Sequence, residues 1–363
     1  MQINGKSIRT IWFDEPAQCV RIIDQTRLPH HFDIIAIDSL EQACAAITTM
    51  QVRGAPLIGI TAAYGVFLAM RDGHDSVTQV CQLLRATRPT AVNLQWALQQ
   101  MESALAVVPA QARSAAALVL ANRLAEEDAA ACSAIGDHGL ALIEAAWQKK
   151  REHNPEAQCL NILTHCNAGW LATVDWGTAL APIYKAHRAG IPVHVWVDET
   201  RPRNQGAFLT AWELQQEGIA HTVIVDNAGG HLMQHGDVDM CIVGSDRTTA
   251  SGDVCNKIGT YLKALAAFDN DVPFYVALPV STIDFALHDG VREIPIEQRH
   301  AHEVSHMQGL DALGQLTKIQ VMTEASAVSN YGFDVTPARL VTALITEKGV
   351  FGANKESLQA IAP

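Results

Sequence analysis

Three polar clusters in this chain follow apolar, β-branched segments. Asp198-Glu199-Thr200-Arg201-Pro202-Arg203-Asn204-Gln205-Gly206 comes after residues 193–197, Ser245-Asp246-Arg247 after residues 240–244, and Asn256-Lys257 shortly beyond. A parallel sheet delivers side chains to a ligand in the crevice past its carboxyl edge, so polar residues in such places point to catalysis.

Each candidate has a chemical reading and a plainer one. Cys166, in Thr164-His165-Cys166-Asn167-Ala168-Gly169, follows the apolar run 160–163, where amides and a nearby cation would make its thiol a base or nucleophile. A lone cysteine is more often core packing, and its neighbour His165 would activate it only if the two side chains shared a face. Asp246, in a desolvated pocket, would have a raised pKa and deliver a proton; otherwise it pairs with Arg247 or caps a turn. Asn256 and Lys257 read as the opening of the next helix, reaching the same crevice to bond hydroxyls and an anion. Arg53-Gly54-Ala55-Pro56 precedes an apolar helical pattern, and free amides beside Arg53 would cradle a phosphate, unless this is only a helix break. Arg88, ahead of Pro89, is a second anion contact or a solvated arginine. The charged run 198–205 is either a ligand loop or a surface ion-pair network. His231 and His235 have metal-ligand spacing, but flanking glycines and the want of a third ligand argue against a metal site.

The elements that position these residues follow from periodicity. Residues 8–13, 20–23 and 32–37 alternate as strands of a small antiparallel sheet. From Leu40 to about residue 130 the spacing is helical, broken at Gly54, Gly73, Pro89 and Pro109, and predicts a helical bundle. Beyond it, strands at 160–163, 193–197, 222–225, 240–243 and 273–278 alternate with helices at 176–189, 207–216 and 257–268. Gly190 and Gly218 close the first two of these helices. Such βαβ units specify an open, mostly parallel sheet, and hence an α/β chain of two domains, 1–130 and 131–363.

With 363 residues, 48% hydrophobic and 18% charged, the chain can bury one large or two modest cores. Its formal net charge of -12 opposes nonspecific attraction to nucleic acid or anionic lipid while allowing a local basic pocket. No signal-like start and no bilayer-length apolar stretch are evident, so cytoplasmic residence and no membrane partner are expected. The eight cysteines include no Cys-x-x-Cys pair, which points to neither zinc nor a disulfide framework.

Arg53-Gly54-Ala55-Pro56-Leu57-Ile58-Gly59, Arg88-Pro89-Thr90-Ala91-Val92-Asn93-Leu94, Thr164-His165-Cys166-Asn167-Ala168-Gly169, Asp198-Glu199-Thr200-Arg201-Pro202 with Gln205-Gly206, and Gly244-Ser245-Asp246-Arg247 with Asn256-Lys257 together resemble the methylthioribose-1-phosphate isomerase family. The resemblance spans nearly the whole chain. It implies an aldose-ketose isomerase of methionine salvage, with a small N-terminal domain, a Rossmann-like C-terminal domain and a homodimeric assembly. By the resemblance Cys166 matches the catalytic cysteine and Asp246 the catalytic acid. Arg53, Gly54, Ala55, Arg88, Gln205, Asn256 and Lys257 match substrate-binding positions.

The implied substrate, 5-methylthioribose 1-phosphate, carries phosphate on its anomeric oxygen, so acid assistance at the ring oxygen must precede opening. Hydrogen then moves from C2 to C1, either through proton removal by a Cys166 thiolate or as a direct hydride shift. No cofactor is needed, because isomerisation moves two electrons within one molecule, and no Gly-x-Gly-x-x-Gly turn is present. Relatives acting on 5-deoxyribose 1-phosphate or ribose 1,5-bisphosphate stay open as alternatives. So does the non-catalytic regulatory subunit of the translation initiation factor exchange complex, whose fold is shared.

Overall fold

The computed structural model describes residues 1–3 and 5–362. Near the N-terminus, strands Ile11–Asp14, Cys19–Ile23 and Ile34–Ile37 form the expected antiparallel sheet, with Ile22 opposite both Ile11 and Ile35. Its inner face packs on helices Leu40–Thr48, Ala55–Arg71, Val77–Thr87 and Val92–Leu105. Every residue of Ala55–Arg71 except Arg71 is buried, so this helix, apolar all round, is the centre of the bundle.

One helix, Arg113–His153, runs 41 residues and connects the two halves of the chain. Its buried residues from Ala117 to Ala129 belong to the bundle core, whereas Ile135 and Ile143 join the core under the large sheet.

That sheet has seven strands in the order Gly349–Phe351, Ala343–Thr346, Phe274–Ala277, Met240–Val243, Leu160–Thr164, Val193–Asp198, Ala220–Ile224. All neighbours are parallel except the hairpin at the Gly349 edge. The chain starts in the middle at Leu160–Thr164, winds outward to Ala220–Ile224, then returns to Met240–Val243 on the other side of the starting strand. Strand order therefore reverses between Leu160–Thr164 and Met240–Val243, and an open α/β sheet binds its ligand outside the carboxyl ends at such a switch point.

Several boundaries differ from expectation. The helix expected from residue 176 begins at Ala181, because Trp176 and Gly177 both take positive φ and Pro182 suits the first turn. Asn256 and Lys257 do not open a helix. They end strand Val254–Lys257 of a separate four-stranded sheet, and the helix Thr260–Asp269 starts only after Gly259 turns the chain at φ +105°. That second sheet, with Arg247–Thr249, Ile283–Asp284 and Phe333–Thr336, and the hairpin His306–Leu310 with Leu316–Gln320 form an excursion over the carboxyl edge that local periodicity does not announce.

Candidate active site

The strand Leu160–Thr164 ends in a turn whose geometry is over-determined. Cys166 takes φ +67°, an uncommon conformation for a residue with a Cβ. Its N–H donates to Thr200 Oγ1 at 2.8 Å, and its carbonyl accepts from Thr210 Oγ1 at 2.7 Å. Thr200 belongs to the loop after Val193–Asp198, and Thr210 to a π-helical turn, Gly206–Thr210, of the kind often found at functional sites. The Cys166 thiol is thus aimed from one strand end by two neighbouring segments, and it donates to Gln205 Oε1 at 3.4 Å.

His165 does not reach that thiol. Its Nδ1 lies 2.8 Å from Asp198 Oδ2 and its Nε2 2.8 Å from the Ile258 carbonyl, so the ring ties the Cys166 turn to the segment after Lys257. His165, Asp198 and Asp226 present ligand atoms close together, but the Lys263 ammonium lies 3.1 Å from Asp198 Oδ2 and already supplies the positive charge there. The His231 and His235 rings lie tilted against each other, centroids 4.2 Å apart, at the end of helix Ala228–Gln234.

Asp246 follows Met240–Val243, the strand across the switch point, and its N–H donates to the Cys255 carbonyl at 2.9 Å. Arg247 turns instead to Asp284, 3.2 Å away, so the simple neighbour pair is not formed. Burial is the largest influence on Asp246 and pushes its carboxyl up, against the pull of Lys257, Arg53 and Arg88. Burial likewise pushes the Cys166 thiol up, with Arg53 and Lys257 opposing, and pushes the Lys257 ammonium down. Removing charged groups from water favours their neutral forms, so burial favours the thiol over the thiolate and raises the carboxyl above its ordinary range.

Arg53, Gly54, Ala55, Cys166, Asp246 and Asn256 line one cavity at the switch point. Gly54 adopts φ +95°, and a Cβ there would lie 2.5 Å from the Ala172 carbonyl oxygen, so only glycine lets the start of helix Ala55–Arg71 close on the cavity. Arg88, with Ala55 and Asp246, lines an adjoining recess, where its guanidinium is 3.4 Å from Glu297 Oε2. Asn256 donates to Thr260 Oγ1 at 3.0 Å, and the Lys257 ammonium sits 4.5 Å from the Phe333 ring centroid. Gln205 and Arg53 also line an outer chamber with Leu28, Met50, Phe208 and Met307. Of the nine residues matched by the resemblance, six line the cavity at the switch point, Arg88 and Gln205 line the adjoining recess and outer chamber, and Lys257 is near enough to act on both Cys166 and Asp246.

The site also contains residues the sequence reading passed over. Asn167 binds the Arg53 guanidinium through its side-chain oxygen and, at 2.7 Å, through its carbonyl. Glu213, fully buried, takes the Asn167 amide at 2.7 Å. Its only signal in the sequence is a charge set between Trp212 and Leu214 in an apolar stretch. Arg203 of the charged run 198–205 and Arg88, both noted in the sequence, are linked along the rim by ion pairs through Glu303, Arg299 and Glu297, which were not.

Comparison with known proteins fits this geometry. Residues 51–353 match the family described as the Initiation factor 2 subunit family. Methylthioribose-1-phosphate isomerase of Methylocella silvestris is 60% identical over 362 residues, covering 99% of this chain and 98% of its own. The protein of that name from Escherichia coli O45:K1 is 58% identical over 360 residues, 99% and 95% of the two chains. The crystal structure of 5-methylthioribose 1-phosphate isomerase from Pyrococcus horikoshii superposes with a TM-score of 0.81 at 35% identity, covering 98% of this chain and 96% of that one. Translation initiation factor eIF-2B, subunit delta, from A. fulgidus does so with 0.76 at 36% identity, over 97% and 100%. The chain belongs to the Initiation factor 2 subunit family, and within it to the methylthioribose-1-phosphate isomerases.

Proposed function

We propose that this protein converts 5-methylthioribose 1-phosphate to 5-methylthioribulose 1-phosphate, an aldose-ketose isomerisation of methionine salvage. The observation that carries the reading is the convergence of Cys166, Asp246 and the cationic groups of Arg53 and Lys257 at the switch point of the sheet. A regulatory subunit has no use for a buried carboxyl and a buried thiol set beside the same cations. The isomerases at about 60% identity support the same choice.

In this reading Arg53, Arg88 and Lys257 receive the phosphate, with the amides at the start of helix Ala55–Arg71 aimed at it. Asn256 and Gln205 bond the sugar hydroxyls. Asp246 gives its proton to the ring oxygen, the C1–O4 bond breaks, and positive charge develops on C1. Hydride then moves from C2 to C1, and the C2 hydroxyl loses its proton to the Asp246 carboxylate, leaving a ketone at C2 and the phosphate ester on a CH2 group. Burial of Cys166 favours this hydride route over proton removal by a thiolate, because the thiol is held in its neutral form. No step needs a cofactor.

The outer chamber offers an apolar side, Leu28, Met50, Phe208 and Met307, for a methylthio group on C5, beside a polar side that carries Arg203 and Lys318. A 5-deoxy sugar would also fit such an apolar side with a modest loss of affinity. The division at 130/131, a homodimer and residence in the cytoplasm belong to the same reading, and light scattering tests the dimer. The function is tested by assaying purified protein with 5-methylthioribose 1-phosphate, 5-deoxyribose 1-phosphate and ribose 1,5-bisphosphate. The highest specificity constant is expected for the first, and preference for either of the others would displace it.

A further inference from the structure

Glu213 lies on helix Ala211–Gln216, outside the cavity that holds Cys166 and Asp246, yet it is completely buried. Four donors converge on its carboxylate. Asn167 Nδ2 at 2.7 Å and the Leu171 N–H at 3.2 Å reach Oε1; the Trp170 N–H at 2.6 Å and the Tyr184 hydroxyl reach Oε2. The chain wraps this carboxylate so closely that a Cβ on Gly169 would sit 2.3 Å from Oε2. A buried carboxylate is strongly disfavoured unless its lone pairs are used, and here each oxygen accepts twice.

The consequence reaches the cavity through Asn167. An amide group can point either way, and its two ends have opposite hydrogen-bonding character. Glu213 accepts only from the NH2 end, and Thr210 Oγ1, 3.2 Å away, is likewise a partner for that end, since its own proton is given to the Cys166 carbonyl. The Asn167 side-chain oxygen is therefore forced toward Arg53. Together with the Asn167 carbonyl it holds both terminal nitrogens of the guanidinium. Arg53 Nε remains buried and without a partner among the described residues.

We infer that Glu213 is a positioning residue for anion binding, acting through the fixed amide of Asn167 to set the plane of the Arg53 guanidinium. The inference rests on Arg53 being a phosphate contact of the sugar-phosphate site. A guanidinium binds a phosphate well only when its fork is presented in plane, so a loosened Arg53 costs affinity while the Asp246 chemistry is untouched.

Tyr184 supplies the control. Tyr184→Phe removes a donor from the same carboxylate without releasing Asn167, whereas Glu213→Gln places an NH2 group among donors and frees the amide. Glu213→Gln is expected to raise KM for 5-methylthioribose 1-phosphate, and Kd for inorganic phosphate measured by calorimetry, by about tenfold, with kcat within about threefold of wild type. Tyr184→Phe is expected to lower thermal stability comparably while leaving KM and the phosphate Kd within about threefold. Should Glu213→Gln fail to fold, Asn167→Ser keeps three of the four donors to Glu213 and is expected to raise the same two constants. Equal constants for Glu213→Gln and Tyr184→Phe, or an Asn167→Ser protein with wild-type phosphate affinity, overturns the inference. Inorganic phosphate makes the result independent of which sugar is turned over.

Discussion

The Cys166 thiol donates to the side-chain oxygen of Gln205 at 3.4 Å, and this contact decides what Gln205 can offer a ligand. With Oε1 engaged, its NH2 group is left to face the crevice as a donor. Gln205→Glu removes that donor and adds a charge beside a buried thiol. KM is expected to rise by about threefold to tenfold, on the order of 0.5–1.5 kcal/mol for a lost neutral hydrogen bond, and steady-state kinetics check it. An unchanged KM would remove Gln205 from the site.

Asp246 is proposed to deliver the proton that opens the ring. Asp246→Asn, nearly the same shape without the proton, is expected to lower kcat by roughly two to four powers of ten while product affinity, measured by calorimetry, is retained. Because burial raises the Asp246 carboxyl, the active protonated form persists above the ordinary carboxylate range and is lost as pH rises through the raised value. The wild-type pH profile should accordingly fall on its alkaline side, and near-normal turnover by the asparagine variant would refute the acid role.

Glu303 is held down at about 2 by Arg299 and Arg203, despite a burial that acts the other way. A carboxylate lowered in the folded state contributes stability that is present above its unfolded value and lost as pH falls through the folded one. The window therefore runs from its ordinary 4.5 down to about 2. Asp246, raised in the folded state, has the opposite sign: its contribution is present at low pH and is lost as pH rises. Urea midpoints measured against pH should decline less on the acid side for Glu303→Gln than for wild type, and a parallel decline would contradict the ion-pair account.

Gly54→Ala combines a positive φ with a Cβ driven into the backbone of Ala172. It is expected to destabilise the fold by about 1–3 kcal/mol or to shift the start of helix Ala55–Arg71, with phosphate affinity falling in either case. Thermal unfolding and phosphate calorimetry on one preparation check both, and a variant with wild-type values would remove the close approach from the account.

The large sheet was legible because its strands are short apolar runs separated by helix-length segments, and Cys166 and Asp246 were legible because each follows such a run. Asn256 and Lys257 were expected to open a helix and instead end a strand, with Asn256 lining the cavity. Their strand, Val254–Lys257, pairs with Phe333–Thr336, a partner far along the chain that no local pattern reveals. The same remoteness hid the hairpin at His306–Gln320 and the identity of Glu303 as the partner of Arg203 in the ion-pair network that the run 198–205 suggested. Glu213 was illegible for a different reason. Charged residues on short helices usually face water, and only the fold brings the Trp170, Leu171 and Asn167 donors around this one.

Whether this crevice isomerises a sugar 1-phosphate is tested most directly by phosphorus NMR of 5-methylthioribose 1-phosphate incubated with the purified protein in deuterium oxide. The anomeric phosphate signal is predicted to give way to that of a 1-phosphoketose whose C1 carries no solvent deuterium, as proton NMR of the same sample reports. A persistent substrate signal would contradict the proposed activity, and deuterium at C1 would replace the hydride route with proton exchange through Cys166.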